Sequence, residues 1–413
     1  MKKLFVLVFT AIFICSIVSC SHINSEKEAV YLDTQPHIIL ISIDGFRHDY
    51  AEKFGAKNLL KIASKGSRAE SLIPCYPSKT FPNHYSIITG LYPDNHGIVD
   101  NYFYDPDWQE LFSIEHPDST NGRWFGGKPF WELVNTHDLK SASYFWIGSD
   151  KYINGNSPTY FKNYEESVPN SDRIDQVIKW LQMPAETRPQ FITLYFSEVD
   201  TQGHTYGPDS EQTKNAVLEI DKEIGRLYDS ISSLNYPVNL IIVSDHGMTQ
   251  LDSTKGIKIK DLIRDNNSIK FIPRDALLML YIEDTAQIDK IKNELRAKAD
   301  ARYETYKRQD IPEQLHYGKN NRIGDILLIP HPEYHFSEEY ISGNHGGTHG
   351  YDPDSIKDMH GIFYAIGPNI KNHYTIRPFR NIHIYPFMAQ LMSLPYDTAN
   401  IDGKFEVVKE LLK

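Results

Sequence analysis

The residues that could do chemistry in this sequence are three acids, three imidazoles and one hydroxyl. They are Asp44, Thr80, Asp200, His204, Asp245, His246 and His349. Mixed histidine and aspartate ligation is typical of Zn²⁺, whereas Ca²⁺ and Mg²⁺ prefer shells made of oxygen alone. Six strong ligands are too many for one tetrahedral ion and suit two ions with three ligands each. Such pairs of ions lie about 4 Å apart in enzymes that process phosphate.

The hydroxyl residue, Thr80, lies at the predicted start of a helix. In the stretch PSKTFPNHYSIITGL, Pro82 fits the first helical turn and HYSIITGL carries a helix-like apolar pattern. The N–H groups and dipole at such a terminus favour an anion. A metal ion on Thr80 would favour its alkoxide at neutral pH, so the stretch predicts a nucleophile that attacks phosphorus or a related centre. Taken alone, the same residues would be an ordinary helix cap.

Four apolar runs that end in acids are predicted to be the buried strands that position these ligands. The runs are HIILISID (37–44), SASYFWIGSD (141–150), QFITLYFSEVD (190–200) and PVNLIIVSDHGM (237–248). Ligands collect beyond the carboxyl ends of strands in open α/β sheets, so the acids should converge. Asp200 and His204 share one face if their stretch is a helical turn or a tight loop. The glycine- and histidine-rich stretch 344–353 offers His349, with His345 as the alternative.

The N-terminus is predicted to be a lipoprotein signal peptide. Lys2 and Lys3 precede the apolar run LFVLVFTAIFICSIV, and a small residue stands before Cys20. We expect a signal peptide over 1–19, a lipid anchor on Cys20, a polar tether over 20–36 and one catalytic domain over 37–413, held in the cell envelope. A plain cleaved signal peptide is the alternative. With Cys15 removed and Cys20 lipidated, Cys75 would have no partner for a disulfide.

The sequence also predicts the structure of two further segments, and its overall charge limits the class of partner. Residues 105–135 are predicted to be an aromatic-rich loop, and residues 255–340 a small β-α-β insertion. The chain of 413 residues carries a formal charge of −11, which argues against non-specific binding to nucleic acid. We therefore expect no stable nucleic-acid complex, and the sequence gives no sign of a protein partner.

Five motifs in order, DGFR, PSKTFPNHYSIITGLYPDNHGIVDN, VDTQGHTYGP, SDHGM and GTHG, carry a resemblance that extends from about residue 37 to the C-terminus. The chain resembles the nucleotide pyrophosphatase/phosphodiesterase family of the alkaline phosphatase superfamily. The resemblance implies an alkaline-phosphatase-like α/β fold, with a central, mostly parallel sheet and helices on both faces. It also implies zinc-dependent hydrolysis of nucleotides or dinucleotides to nucleoside monophosphates.

The same resemblance implies a role for each candidate residue. One zinc ion would be held by Asp200, His204 and His349, and the other by Asp44, Thr80, Asp245 and His246. Thr80 would form a phosphothreonine intermediate that water then hydrolyses, and Asn101 would donate to a non-bridging phosphate oxygen. Phe81 and Tyr164 would sandwich the nucleobase, while Trp146 and Asp150 would line its pocket. Lys79 is expected to be a solvated flank, and His48, His84 and His96 to be structural.

Two other functions stay open from the sequence. One is a lysophospholipase C-like or other phosphodiester hydrolase of the same superfamily, because the aromatic 105–131 region could hold a lipid tail. The other is a non-enzymatic surface lipoprotein with a decayed site, which the presence of all seven candidate ligands disfavours.

Overall fold

The computed structural model describes residues 35–115, 121–263, 269–337 and 346–413. The predicted signal peptide, Cys20 and His345 therefore lie outside the described residues. The strands, in chain order, are β1 (His37–Ile43), β2 (Ser67–Ala69), β3 (Leu72–Ile73), β4 (Tyr102–Asp105), β5 (Glu110–Ser113), β6 (Ser141–Tyr144), β7 (Tyr160–Lys162), β8 (Phe191–Phe196), β9 (Val238–Val243), β10 (Thr249–Gln250), β11 (Gly256–Lys258), β12 (Ile269–Arg274), β13 (Leu277–Ile282), β14 (Tyr303–Lys307), β15 (Ile326–Pro330), β16 (His335–Ser337), β17 (Gly347–Thr348), β18 (Phe363–Ile366), β19 (Tyr374–Ile376) and β20 (Phe379–Arg380). The helices are α1 (Tyr50–Phe54), α2 (Lys57–Lys65), α3 (Thr80–Thr89), α4 (Pro93–His96), α5 (Phe130–Asn135), α6 (Asn170–Leu181), α7 (Glu198–Tyr206), α8 (Glu211–Ser232), α9 (Ile259–Leu262), α10 (Ile288–Ala297) and α11 (Ile384–Leu391).

The central sheet is mixed and mostly parallel, as predicted. Its strand order is β19-β2-β18-β9-β1-β8-β6-β7. β1 pairs in parallel with β8 and β9, and β6 pairs in parallel with β8 and β7. β18 is antiparallel to both of its neighbours. The carboxyl ends of β1, β6, β8 and β9 therefore meet at one edge of the sheet, where the predicted ligands follow them.

Both faces of the sheet are covered by helices, which confirms the predicted α/β class. Ile38 and Leu40 of β1 point into one apolar cluster, which includes residues of α3 and α11. Ile39, Ile41 and Ile43 point into the opposite cluster, which includes residues of α2, α6 and α8. Strands buried on both faces are continuous apolar runs, which is why the sequence shows them so clearly.

Three predicted segments differ from the structure. The insertion is a four-stranded antiparallel sheet, β12-β13-β15-β14; the predicted β-α-β elements are present as β13, α10 and β15, and β12 and β14 are strands that were not predicted. The prediction of a loop over 105–135 is wrong, because this segment contains β5 and α5 and its aromatic side chains are largely in the core. The predicted strand 141–150 ends at Tyr144, since Phe145 has a left-handed φ of 70°.

Among the residues that the structure describes, no helix combines the length and the apolar character needed to cross a membrane.

Candidate functional site

The six predicted carboxylate and imidazole ligands come from four places along the chain. Asp44 follows β1, Asp245 and His246 follow β9, Asp200 and His204 lie on α7, and His349 follows β17. The helix α7 begins just beyond β8, so the stretch from Asp200 to His204 is a helical turn, one of the two alternatives left open by the sequence. The structure brings all six side chains together at the carboxyl edge of the sheet.

One group of ligands consists of Asp44, Asp245 and His246, all buried. The Nε2 atom of His246 lies 3.0 Å from Oδ2 of Asp245 and 3.4 Å from Oδ1 of Asp44. Thr80 is the first residue of α3, and its Oγ1 lies 3.3 Å from the same Nε2 atom. The hydroxyl therefore lies beside the ligand group to which the family resemblance assigned it.

The second group contains Asp200, His204 and His349. The Nε2 atom of His349 lies 3.0 Å from Nε2 of His204 and 3.8 Å from Oδ1 of Asp200. Oδ2 of Asp200 lies 3.4 Å from Nε2 of His204. The rings of His246 and His349 stack with centroids 3.6 Å apart, so the two groups are in contact. By distance alone, His246 could also join Asp200 and His349.

The three imidazoles have the tautomer that a metal ligand needs. Nδ1 of His204 lies 3.0 Å from the Gly347 carbonyl, and Nδ1 of His349 lies 2.7 Å from the Ser78 carbonyl. His246 makes the equivalent contact, 2.9 Å, with the carbonyl of Gly247. A carbonyl accepts only from a protonated Nδ1, so in the neutral ring the lone pair of each histidine lies on Nε2. Lone pairs of His204 and His349 that face each other at 3.0 Å would repel without a cation between them.

The carboxylates support the same conclusion. Oδ1 of Asp44 and Oδ1 of Asp200 are buried and accept no hydrogen bond from the residues that the structure describes. Buried polar atoms are normally satisfied, so both oxygens fit a missing ligand. Burial and the nearby carboxylates of Asp245 and Asp200 raise the pKa of Asp44 well above its usual value. A bound cation would let all three acids ionise together, and the donor set therefore fits metal binding.

Two residues that sequence reasoning did not assign to the site hold its ligands. The Tyr195 hydroxyl donates to Oδ2 of Asp44 at 2.6 Å. Nδ1 of His84 lies 3.3 Å from Oδ2 of Asp245 and 2.9 Å from the Thr80 carbonyl. Burial would raise the pKa of Asp245, but the imidazoles of His246 and His84 outweigh burial and hold that pKa well below its usual value. The spacing of four residues from Thr80 along α3 could have revealed His84.

The prediction that Lys79 is a solvated flank is wrong. Lys79 is only 6% exposed, and it lines the cleft beside Thr80. The reason is its close packing on Gly350, where a Cβ atom would come within 2.5 Å of Cε of Lys79. Glycine at this position therefore lets the lysine side chain lie flat along the site.

A cleft of about 660 Å³ adjoins the ligand groups. Its lining includes every predicted substrate residue, namely Phe81, Asn101, Trp146, Asp150 and Tyr164. Oδ1 of Asn101 accepts the backbone N–H of Phe81 at 2.9 Å, so the amide NH₂ group is left as a donor. The ring of Tyr164 is 52% exposed and available for contact.

Two of the lining residues have neighbours that limit their roles. Trp146 is 2% exposed, and its Nε1 donates to the His84 carbonyl at 3.3 Å. This side chain therefore forms the wall of the cleft and supports α3. The carboxylate of Asp150 lies 3.0 Å from Nζ of Lys151, so a ligand would meet this pair and not an isolated acid.

Comparison with known proteins places this site in a family. The sequence model of the family described as type I phosphodiesterase / nucleotide pyrophosphatase matches residues 38–352. The chain is 36% identical over 396 residues to venom phosphodiesterase CdcPDE of Crotalus durissus collilineatus, covering 92% of this chain and 47% of the relative. It is also 36% identical over 391 residues to human ectonucleotide pyrophosphatase/phosphodiesterase family member 1, covering 91% of this chain and 42% of the relative. The chain thus spans about half the length of the curated relatives it matches.

The fold has a solved counterpart of similar size. A structure of murine ectonucleotide pyrophosphatase/phosphodiesterase 5, in an inactive threonine-to-alanine form with AMP, matches with a TM-score of 0.85 and 29% identity. The match covers 92% of this chain and 100% of the murine chain. Together with the family match over most of the sequence, this bears out the predicted alkaline-phosphatase-like fold. The chain belongs to the type I phosphodiesterase / nucleotide pyrophosphatase family.

Proposed function

We propose that the chain is a zinc-dependent phosphodiesterase and nucleotide pyrophosphatase that releases nucleoside monophosphates from nucleotides or dinucleotides. One observation carries the proposal. Thr80 is the first residue of helix α3, and its hydroxyl lies 3.3 Å from Nε2 of His246. This places the hydroxyl within the converging set of candidate ligands and in the lining of the aromatic cleft. A nucleophile beside cation ligands and a helix N-terminus suits attack on a phosphoryl group.

Two zinc ions would be held by the two ligand groups. Asp200, His204 and His349 would bind one ion, and Asp44, Asp245, His246 and Thr80 the other. When bound, the ions would supply Lewis-acid stabilisation of the phosphoryl oxygens and lower the pKa of the Thr80 hydroxyl. Family members depend on metal ions, and nitrogen and oxygen donors in this mixture suit zinc.

The residues of the chain would then divide the reaction between them. Thr80 Oγ1 gives up its proton to solvent, attacks phosphorus and forms a phosphothreonine that still carries the nucleoside, as the bond to the leaving group breaks. The NH₂ group of Asn101 and the backbone N–H of Thr80 donate to a non-bridging oxygen as negative charge develops there. Water subsequently attacks the phosphothreonine, which releases the nucleoside monophosphate and restores the Thr80 hydroxyl.

The nucleoside part of the substrate would lie between Phe81 and Tyr164. Both rings line the cleft, and Phe81 is backed by Phe112 with ring centroids 6.0 Å apart. Stacking on aromatic rings accepts any base, because every base has a π-face. The murine structure that matches this fold was solved with AMP, which supports a nucleotide in the cleft.

Replacing Phe81 by alanine should separate binding of the base from chemistry. We expect KM for the p-nitrophenyl ester of thymidine 5′-monophosphate to rise about tenfold, because base stacking is worth about 1–3 kcal/mol. KM for methyl p-nitrophenyl phosphate, which has the same leaving group and no base, should change less than twofold. Steady-state kinetics on the two esters measures both values. An equal loss on both substrates would contradict the stacking role.

The lysophospholipase C-like alternative depended on the aromatic residues of segment 105–131 being available to a lipid tail, and most of them are buried. Phe112, Trp124, Phe125 and Trp131 are at most 3% exposed and belong to the main apolar cluster. Trp108, at 37% exposure, lies under the guanidinium groups of Arg123 and Arg322. These aromatic side chains stabilise the fold and leave little surface for an acyl chain, so a nucleotide is the better substrate proposal.

The test of the proposed function is a substrate panel with identified products. ATP, a dinucleotide, lysophosphatidylcholine and p-nitrophenyl phosphate are incubated with the zinc-loaded protein, and products are separated by chromatography. We expect AMP from ATP and nucleoside monophosphates from the dinucleotide. Rapid release of phosphocholine, with no nucleotide cleaved, would replace the proposal with the lysophospholipase C-like function.

We also propose that Cys20 carries a lipid that holds the catalytic domain, residues 37–413, in the cell envelope. The support is the signal-peptide pattern, since Cys20 lies outside the described residues. Mass spectrometry of the N-terminal peptide from membranes should show cleavage before Cys20 and the added mass of a lipid. An N-terminal peptide that begins elsewhere, or a Cys20 without lipid, would contradict the anchor.

A further inference from the structure

Arg173 is a fully buried arginine next to the cleft that the proposed reaction does not use. It lies on α6 and is 0% exposed. Its Nε donates to the Val168 carbonyl at 3.1 Å, and its two terminal nitrogens donate to the carbonyls of Glu166, at 3.3 Å, and Tyr195, at 3.1 Å. One guanidinium group therefore joins the segment after Tyr164 to the end of β8.

A buried arginine is costly to place, so its contacts should matter. The planar guanidinium group has five N–H donors in a fixed arrangement and can bond several carbonyls at once. A carboxylate oxygen of Glu198, on the α7 helix that carries Asp200 and His204, lies 3.6 Å from it. The arginine thus connects the chain that presents Tyr164 with the helix that presents two metal ligands.

Phe145 connects the same arginine to the cleft from the other side. The Arg173 guanidinium carbon lies 5.1 Å from the centroid of the Phe145 ring. The Phe145 ring also contacts the Tyr164 ring edge to face, with ring centroids 5.2 Å apart and ring planes at 69°. Phe145 is buried and lines the cleft together with Tyr164.

The backbone of Phe145 indicates that this placement is specific. Its φ of 70° is left-handed, which is unfavourable for a bulky residue. Strained conformations persist where the surrounding structure fixes them, and they cluster at binding sites. Here the turn away from β6 puts the ring between Arg173 and Tyr164, whereas an extended residue would continue the strand.

We infer that Arg173 and Phe145 are positioning residues that hold the Tyr164 ring in place for stacking on the base. The inference rests on the proposed function, because it assigns a purpose to the orientation of Tyr164. Tyr164 itself is half exposed, and its hydroxyl makes only a long contact of 3.4 Å with Ser197. Its orientation therefore depends on the ring of Phe145, on the ring of Tyr195, whose centroid lies 6.2 Å away, and on the carbonyls that Arg173 fixes.

The test compares Arg173→Lys and Phe145→Leu with the unchanged protein. Lysine keeps the charge but cannot bond three carbonyls from one plane, and leucine keeps apolar volume without a ring. We expect each change to raise KM for the p-nitrophenyl ester of thymidine 5′-monophosphate about fivefold, a part of the effect of losing a stacking ring. The kcat for this ester, and both constants for methyl p-nitrophenyl phosphate, should stay within about twofold.

Arg188→Lys is the matched control. Arg188 lies before the other end of β8, where its Nε donates to the Met183 carbonyl at 3.0 Å and its guanidinium carbon lies 4.0 Å from the Tyr236 ring centroid. It has the same kinds of contact as Arg173 but lies outside the lining of the cleft, so its replacement should leave KM for both esters unchanged.

The outcomes separate this inference from the proposed function. If the unchanged protein fails to hydrolyse the nucleoside ester, the proposed function and the inference both fall. If it does hydrolyse that ester but both variants keep its KM, the inference alone is overturned. Parallel losses on both esters would also overturn it, because they would show a general structural role. If either Arg173→Lys or Phe145→Leu fails to fold, the KM values of the other variant test the inference.

Discussion

Thr80→Ala should lower kcat for nucleotide esters by at least about 10³-fold, because it removes the proposed nucleophilic oxygen. Oγ1 of Thr80 lies 3.3 Å from Nε2 of His246, next to the candidate metal ligands. The nearby hydroxyl of Tyr195 already donates to Asp44 and is held there at 2.6 Å. Steady-state kinetics with the nucleoside p-nitrophenyl ester measures the loss. A variant that retains a tenth of the activity would exclude Thr80 as nucleophile.

The matched control for this change is Thr89→Ala at the other end of the same helix. Oγ1 of Thr89 donates to the Tyr85 carbonyl at 2.6 Å and is buried away from the cleft. Its loss should cost about 1 kcal/mol of stability and leave kcat within about twofold. A fall in activity equal to that of Thr80→Ala would show that the helix, and not the hydroxyl, is sensitive.

A covalent intermediate gives a second and independent measure of the nucleophile. Acid quenching during turnover should trap a nucleoside monophosphate on the peptide that contains residue 80. Thr80→Ser should still form the adduct, because serine keeps an oxygen at the same position. The adduct found on another residue would contradict the assignment even if Thr80→Ala proved inactive.

The convergence of the candidate metal ligands was the part of the site that the sequence predicted best. Asp44 and Asp245 follow strands buried on both faces, and such strands are recognisable as unbroken apolar runs. Parallel strands must meet at a common edge, so the convergence of these acids follows from the fold class. His204 could be placed with Asp200 because four residues are close to one turn of a helix.

The buried residues that support the site from around the ligands were not predictable in the same way. Tyr195 lies within the apolar strand β8, where burial on both faces removes any alternation that could distinguish it. Arg173 occupies an amphipathic helix, where a charge is expected to face solvent, yet it is completely buried. Lys79 is also a charged residue that was expected to face solvent and is buried. Each of these contacts depends on chain segments far apart in sequence, which local patterns do not bring together.

The aromatic segment shows the opposite error. Trp124, Phe125 and Trp131 suggested a binding surface because aromatic residues in a presumed loop have no strand or helix to join. The hairpin of β4 and β5 supplies that support, with the Phe103 and Phe112 rings stacked at 4.6 Å. A hairpin without a clear alternation of apolar and polar residues is easily mistaken for a loop.

Removal of metal should abolish activity as completely as the loss of Thr80. Dialysis against a chelator is expected to lower kcat by at least about 10³-fold, and zinc should restore it. Mg²⁺ should not, because it prefers shells made of oxygen alone. The zinc-loaded protein should also unfold at a higher temperature, since saturation at 1,000 times Kd adds about 4 kcal/mol of stability. Activity that survives complete chelation would contradict the metal site.

Two single substitutions can show whether the ligands form two sites or one. Asp44→Asn and Asp200→Asn each remove a charge from a different ligand group, and each should lower the bound zinc from two ions per chain to about one. Elemental analysis of the dialysed proteins measures this content. His246 lies within reach of both groups, so His246→Ala should weaken both sites at once. A zinc content of one in the unchanged protein would instead mean a single shared site, because the stacked rings of His246 and His349 would then serve the same ion.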